Sequence, residues 1–325
     1  MIPLSILDLT PIRQGGTVAD TFQETVALAR AAERLGFHRY WLVEHHNTPS
    51  VAGAATAVLM AHVAAHTSTI RIGAGGIMLP NHAPLMVAEQ FGTLAALYPS
   101  RIDLGLGRGI NSDAETLKAL RRQPNDMSEF PQDVEELLNF LKPAIAGQPN
   151  LPGKKVRAIP GEGANVPVWI LGSSLGGADL AARLGLPFAY ASHFAPDQID
   201  VALAAYRGRF KPSAYLQKPQ VMLSLTVTAA ETDEEARYLF SSAQAATDAP
   251  LPPPARDFEK RLDPKRLALI QNLVRHAVVG GPATVAKGMA DFIGRYRPDE
   301  VIVVTQVFDA AARARSFEIL SAAVA

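Results

Sequence analysis

The chain has 325 residues, of which 48% are hydrophobic, 19% charged and 7% aromatic. That balance excludes a disordered or fibrous chain and leaves a globular protein with a large aliphatic core. Thirty-one basic residues match thirty-one acidic ones, so no net field selects nucleic acid or an anionic membrane, and a small molecule is the expected partner. With no cysteine, disulfides, thiolate metal sites and cysteine nucleophiles are excluded as well.

Met1-Ile2-Pro3-Leu4-Ser5 has no basic leader and Asp8 stops its apolar run, so no signal peptide is expected. The longest apolar stretch, 51–65, is shorter than the about 20 residues a membrane span needs and carries His62. A cytoplasmic protein is the expectation.

Short β-rich runs alternate with helical patterns from the first residues onward. A strand over 4–9 precedes Thr21-x-x-Glu24, which reads as a capping box opening a helix with Phe22, Val26, Ala29 and Leu35 on one face and Gly36 as its stop. A strand over 39–43 leads into an Ala-rich helix ending near Ala65; one over 70–73 leads to a helix from Pro84 to about Leu97. Further strands fall at 102–105, 168–171, 188–191, 221–227 and 301–305, which makes eight. Continuous apolar strands alternating with helices predict a parallel sheet buried on both faces. An open doubly wound sheet and a closed barrel both satisfy the pattern, but eight units, with no Gly-x-Gly-x-x-Gly after the first strand, favour an α/β fold of the (β/α)8 TIM-barrel type. Residues 1–325 are therefore read as one barrel domain with insertions at about 110–166 and 247–265. The first insertion contains a helix through Val134, Leu137, Leu138 and Leu141 and then a Pro/Gly-rich loop from 143 to 167; both could serve as lids at the C-terminal mouth or be plain surface excursions.

Barrel enzymes place their chemistry where strands end at that mouth. The first strand ends in Asp8 and Thr10, the second in Glu44-His45-His46-Asn47, the third in Gly73-Ala74-Gly75-Gly76, the fourth in Arg108, the fifth in Gly172-Ser173-Ser174, the sixth in Ser192-His193. None of these ends carries a lysine for a Schiff base. Glu44, His45, His46 and His193 are possible metal ligands, but adjacent side chains diverge, and no metal is assigned. Gly73 to Gly76 lets backbone approach a ligand face, or forms a bulge that closes the barrel. Ser173, Ser174 and Gly177 open a helix whose free N–H groups suit a phosphate, although Ser and Gly are also ordinary capping residues. Arg108 complements such an anion or is simply solvated. His45 suits acid/base work near neutral pH, with a structural histidine as the other reading; Glu44 is expected to point back into the barrel wall and pair with a neighbouring cation such as Arg108.

Taken in order, Tyr40-Trp41-Leu42-Val43-Glu44-His45-His46, Ile72-Gly73-Ala74-Gly75-Gly76-Ile77-Met78-Leu79-Pro80 with His82 and Pro84, and Arg101-Ile102-Asp103-Leu104-Gly105-Leu106-Gly107-Arg108-Gly109 resemble the bacterial luciferase-like flavin monooxygenases, within their single-component oxidoreductase branch. The resemblance covers nearly the whole chain. It implies a barrel that binds reduced, exchangeable FMN at the mouth, with O2 as co-substrate and a flavin C4a-(hydro)peroxide that oxygenates a small organic substrate. It implies a separate reductase as supplier of the flavin and a homodimer as the assembly. It implies roles too: a cis peptide at Gly75-Gly76 facing the flavin ring, His45 as the catalytic histidine, Arg108, Ser173 and Ser174 around the phosphate. A deazaflavin-dependent dehydrogenase and a flavin-binding protein without turnover are the alternatives within the same fold. Relatives read Arg-Ala-Pro-Gly-Thr-Asp where this chain has Arg108-Gly109-Ile110-Asn111-Ser112-Asp113, and the missing proline leaves that loop freer.

Overall fold

A computed structural model describes residues 2–109, 113–123, 128–143 and 156–324. Its strands are β1 (Leu4–Asp8), β2 (Arg39–Leu42), β3 (Arg71–Met78), β4 (Ile102–Gly107), β5 (Val168–Gly172), β6 (Phe188–Tyr190), β7 (Val221–Ala229), β8 (Val278–Gly280) and β9 (Glu300–Val304). Between them lie α1 (Val18–Arg34), α2 (Thr56–Ala65), α3 (Pro84–Leu97), α4 (Ala114–Ala119), α5 (Phe130–Leu141), α6 (Leu175–Leu184), α7 (Ile199–Arg209), α8 (Asp233–Gln244), α9 (Pro264–Leu273), α10 (Pro282–Tyr296) and α11 (Ala310–Ala323). All strand pairings are parallel, from β1 in order to β7, then β7 with β9 and β9 back to β1. That closes eight staves into a (β/α)8 barrel, and the staves are the eight strands the apolar runs predict. The ninth strand, β8, stands outside the ring and pairs only with the far end of β7, Val227 to Ala229. Three residues are too few for any periodicity to show.

Strand alternation divides the core in two. Leu7, Trp41, Val43, Trp169, Ala189, Met222, Ile302 and Val304 fill the barrel interior, with Trp41 and Trp169 edge to face at 5.7 Å. Their neighbours of the other parity, such as Ile6, Tyr40, Leu42, Leu104 and Val303, pack outward against the helices. Helix α5 meets that layer through Val134, Leu137, Leu138 and Leu141, the face its pattern predicts. Two local expectations are corrected. Helix α1 is capped one turn earlier than Thr21: Thr17 accepts from the Asp20 N–H, Asp20 reaches back to Thr17, and Glu24 pairs with Arg13. Asp8 does not face the mouth; it points into the helix layer, where it accepts bonds from Arg313 Nη2 (2.7 Å), Tyr40 Oη (2.6 Å) and Thr25 Oγ1 (2.9 Å).

The floor of the barrel is ionic. The first inward residues of four staves, Arg39, Arg71, Asp103 and Glu300, join in one network: Arg39 to Asp103 at 2.7 Å, Arg39 to Glu300 at 3.0 Å, Arg71 to Asp103 at 2.6 Å. Ser5 adds its hydroxyl to Glu300. Trp41 Nε1 donates to Asp103 at 3.3 Å, and the Arg39 guanidinium lies 5.1 Å from the Trp169 ring. Of the two insertions, 110–112, 124–127 and 144–155 lie outside the described residues; Leu251 in the second is tied to the loop after β1 through Ile12 and Gln14. Among the described residues no helix is long and apolar enough to cross a membrane.

Candidate active site

At the mouth, β2 ends on the alternation Trp41, Val43, His45 inward and Glu44 outward. His45 is exposed, its backbone N–H fixed to the Gly53 carbonyl at 2.8 Å, and its ring has no hydrogen-bond partner among the described residues. Partial desolvation by the surrounding wall lowers its pKa, against the pull of Glu44, so the imidazole is neutral at pH 7.

Glu44 does not meet Arg108. Its carboxylate is buried behind the rim and accepts from His46 Nε2 (2.8 Å), His82 Nε2 (2.9 Å), the Met78 N–H (3.1 Å) and Asn81 Nδ2 (3.3 Å). Burial alone would raise its pKa; the hydrogen bonds from His46 and His82 prevail and hold it at about 2. The same bond raises His46. Glu44, His46 and His82 bring three ligand atoms within 4.8 Å of one another, a set able to hold a metal ion, although N–H donors occupy the carboxylate as the residues stand. Sequence spacing hid this cluster because His82 arrives from the 3-10 turn Leu79–Asn81 after β3.

Strand β3 does not stop at Gly73. It runs on to Met78, so Gly73 to Gly76 belong to the stave itself, with a register shift against β4 between Ala74 and Ile77 and a cis peptide between Gly75 and Gly76. Neither glycine has room for a side chain: a Cβ on Gly75 would lie 2.6 Å from Leu7 Cδ1, and one on Gly76 2.7 Å from the Gly105 carbonyl oxygen. The close packing therefore confines this part of the stave to bare backbone, half-buried at Gly75 and buried at Gly76.

Arg108, just past β4, is exposed and has no side-chain partner among the described residues. Past β5, Ser174 is the N-cap of α6 in extended conformation, yet its hydroxyl caps no backbone N–H. Ser173 and Ser174 are half-buried, and Gly177 lets the first turn of α6 lie against the end of β5, where a Cβ would meet Gly172 Cα at 3.2 Å. Past β6, His193 Nδ1 sits 2.6 Å from Ser224 Oγ of β7, and burial lowers its pKa to about 4. Ser224 gives no sequence signal beyond sharing Met222's inward parity. His45, Gly75-Gly76, Arg108, the Ser173-Ser174-Gly177 turn and His193 thus come from five consecutive staves, β2 to β6, on one half of the rim. Leu9, Val51 and Leu171 cover the interior core below them.

Fold and rim together define a (β/α)8-barrel protein with a candidate site at its C-terminal mouth. Within that class the chain belongs to the luciferase-like monooxygenase family, whose model matches residues 2–296. It is 47% identical over 326 residues to a luciferase-like monooxygenase of Escherichia coli (strain K12), covering 98% of this chain and 96% of the relative. It is 32% identical over 343 residues to the N-acetyl-S-alkylcysteine monooxygenase of Bacillus subtilis (strain 168), covering 100% and 98%. The solved structure of apo-MsnO8 matches with a TM-score of 0.86 at 33% identity, over 99% of this chain and 98% of that one. Two more distant structures share the fold: the FMN-bound oxygenating constituent of 3,6-diketocamphane monooxygenase from Pseudomonas putida (TM-score 0.74, 17% identity, 100% and 98% covered), and an F420-dependent secondary alcohol dehydrogenase holding an F420–acetone adduct (TM-score 0.70, 16% identity, 100% and 99% covered).

Proposed function

We propose that this protein is an FMN-dependent monooxygenase acting on a small organic molecule, with reduced FMN supplied by a separate reductase. The observation that carries the reading is the set of donors on one side of the rim: the Ser174 hydroxyl and first-turn N–H groups of α6, and Arg108 one stave away, which has no side-chain partner among the described residues. A helix N-terminus beside a guanidinium fits a phosphate dianion, and the bare Gly75-Gly76 backbone fits the face of a planar ring. Arg108, Ser173, Ser174 and the turn at Gly177 would hold the phosphate, and Gly75 and Gly76 would face the ring.

When bound, reduced FMN supplies the electrons that activate O2 for insertion of one oxygen atom into the substrate. The chain's own part is orientation, dryness and proton handling. Leu9, Val51 and Leu171 keep water from the floor of the mouth. His45, neutral at pH 7 and without a ring partner among the described residues, can hold or release a proton at its ring nitrogens, while Glu44, locked behind it by His46 and His82, fixes the rim segment that carries it.

Fluorescence titration tests the reading. FMN quenches on binding at micromolar concentration and riboflavin binds more weakly by the worth of the phosphate contacts. Equal affinity for the two would remove the phosphate role; binding of the deazaflavin F420 in preference to FMN would turn the protein into a hydride-transfer dehydrogenase.

A further inference from the structure

One inward group of the mouth is not used by the flavin site. His193 lies in the turn just after β6, and its ring meets Ser224, which shares the inward parity of Met222 on β7. The Ser224 hydroxyl has one hydrogen and two lone pairs. Its oxygen lies 3.2 Å from the Tyr190 carbonyl, 3.2 Å from the His193 backbone N–H and 2.6 Å from His193 Nδ1. All three contacts are hydrogen bonds only if the hydroxyl donates to Tyr190 and accepts both from the His193 N–H and from Nδ1–H. Were the hydroxyl proton turned to Nδ1, the Tyr190 contact would have no hydrogen. The Tyr190 carbonyl also accepts from the Ser192 N–H at 2.9 Å; with all three Ser224 contacts made, the ring proton is on Nδ1 and Nε2 keeps a lone pair. Nε2 has no partner among the described residues and is not sealed from solvent. Burial keeps the ring uncharged down to about pH 4. Against it stands the 46% exposed Phe194, whose ring meets His193 edge to face.

We propose that His193 Nε2, held in its tautomer by Ser224, is a hydrogen-bond acceptor that recognises a neutral organic substrate through an O–H or amide N–H donor. A neutral acceptor beside an aromatic ring, with burial and no charged neighbour acting on its ionisation, favours an uncharged donor over an anion, which would face the lone pair, and over a cation, which would lose its solvation without a counter-charge. The assignment rests on the monooxygenase reading only for the reaction that the recognition serves.

The test is nitrogen NMR on the full chain with ¹⁵N-labelled histidine, with and without FMN, using benzyl alcohol and benzyl methyl ether as probes that differ in one donor. At pH 7 the His193 ring should show a protonated Nδ1 and an unprotonated Nε2. Benzyl alcohol should shift the Nε2 signal and bind at least about fivefold tighter than the ether, the worth of one hydrogen bond. His193→Asn keeps an N–H for Ser224 but no acceptor at the Nε2 position, so it should retain the wild-type Tm and lose the alcohol preference. If it fails to fold, Ser224→Ala serves instead: it should release the tautomer and shrink the preference. A protonated Nε2, or equal binding of the two probes with no Nε2 shift, would overturn the proposal. A parallel FMN titration keeps the two readings apart, because the tautomer and the alcohol preference are read in cofactor-free protein.

Discussion

The two ends of the barrel use polar residues in opposite ways. At the floor, Arg39, Arg71, Asp103 and Glu300 are paired with one another, Asp103 and Arg39 against two tryptophans. At the rim, Arg108, Ser174, His45 and His193 Nε2 are left with unused hydrogen-bonding capacity. A charge with every partner supplied by the chain can only serve the fold; donors and acceptors without partners are available to something else. The contrast separates stability from function along a single axis of one molecule.

Breaking the floor should have the largest effect. Asp103→Ala leaves two guanidinium groups short of a counter-charge, and we expect a loss of about 3–5 kcal/mol in chemical denaturation, with FMN affinity of the folded fraction unchanged. Next comes acid. Glu44 has its pKa lowered from 4.5 to about 2, so its stabilisation is complete above pH 4.5 and disappears as pH falls through about 2, a contribution of about 3 kcal/mol. His46, raised by the same bond, works in the other direction: its share is full below pH 6.5 and is lost as pH rises through its elevated value. Glu44→Gln should flatten the acid limb of the stability–pH curve; an unaltered limb would show that other carboxylates control it. On the rim, Arg108→Ala should leave the unfolding midpoint in place and weaken FMN binding by about 1.5–3 kcal/mol, read by fluorescence quenching. Smallest in stability is His45→Ala, within about 0.5 kcal/mol. It should keep FMN affinity while losing substrate-coupled oxygen consumption, and unchanged coupling would take His45 out of the chemistry.

Much of the scaffold was legible because strands buried on both faces write unbroken apolar runs, and the eight barrel staves did so. β8, with three residues, could not. At the candidate site, the sequence locates residues adjacent in sequence or fixed to a strand end, and the structure places them on the rim: His45, the glycine pair, Arg108, the serines of α6. What escaped depends on parity and distance. Asp8 ends its strand in sequence, but one residue of alternation turns it from the mouth to the helices. His82 reaches Glu44 from 38 residues away, and Ser224 lies 31 residues from His193 in the middle of a strand. Contacts of that kind leave no local pattern.

The closure of the ring has a consequence for how the protein is made. Stave β1 is hydrogen-bonded on one side by β2 and on the other by β9, and the Ser5–Glu300 bond joins residues 295 apart. At synthesis rates of about 5–20 residues per second, β1 waits roughly 15–60 s on the ribosome with a bare edge. During that interval Arg39 lacks Glu300 and Asp8 lacks Arg313, its partner 305 residues on. The nascent barrel is therefore an open, charged-floored sheet that offers an edge for pairing with other chains. A chain that ends before residue 300 never leaves that condition.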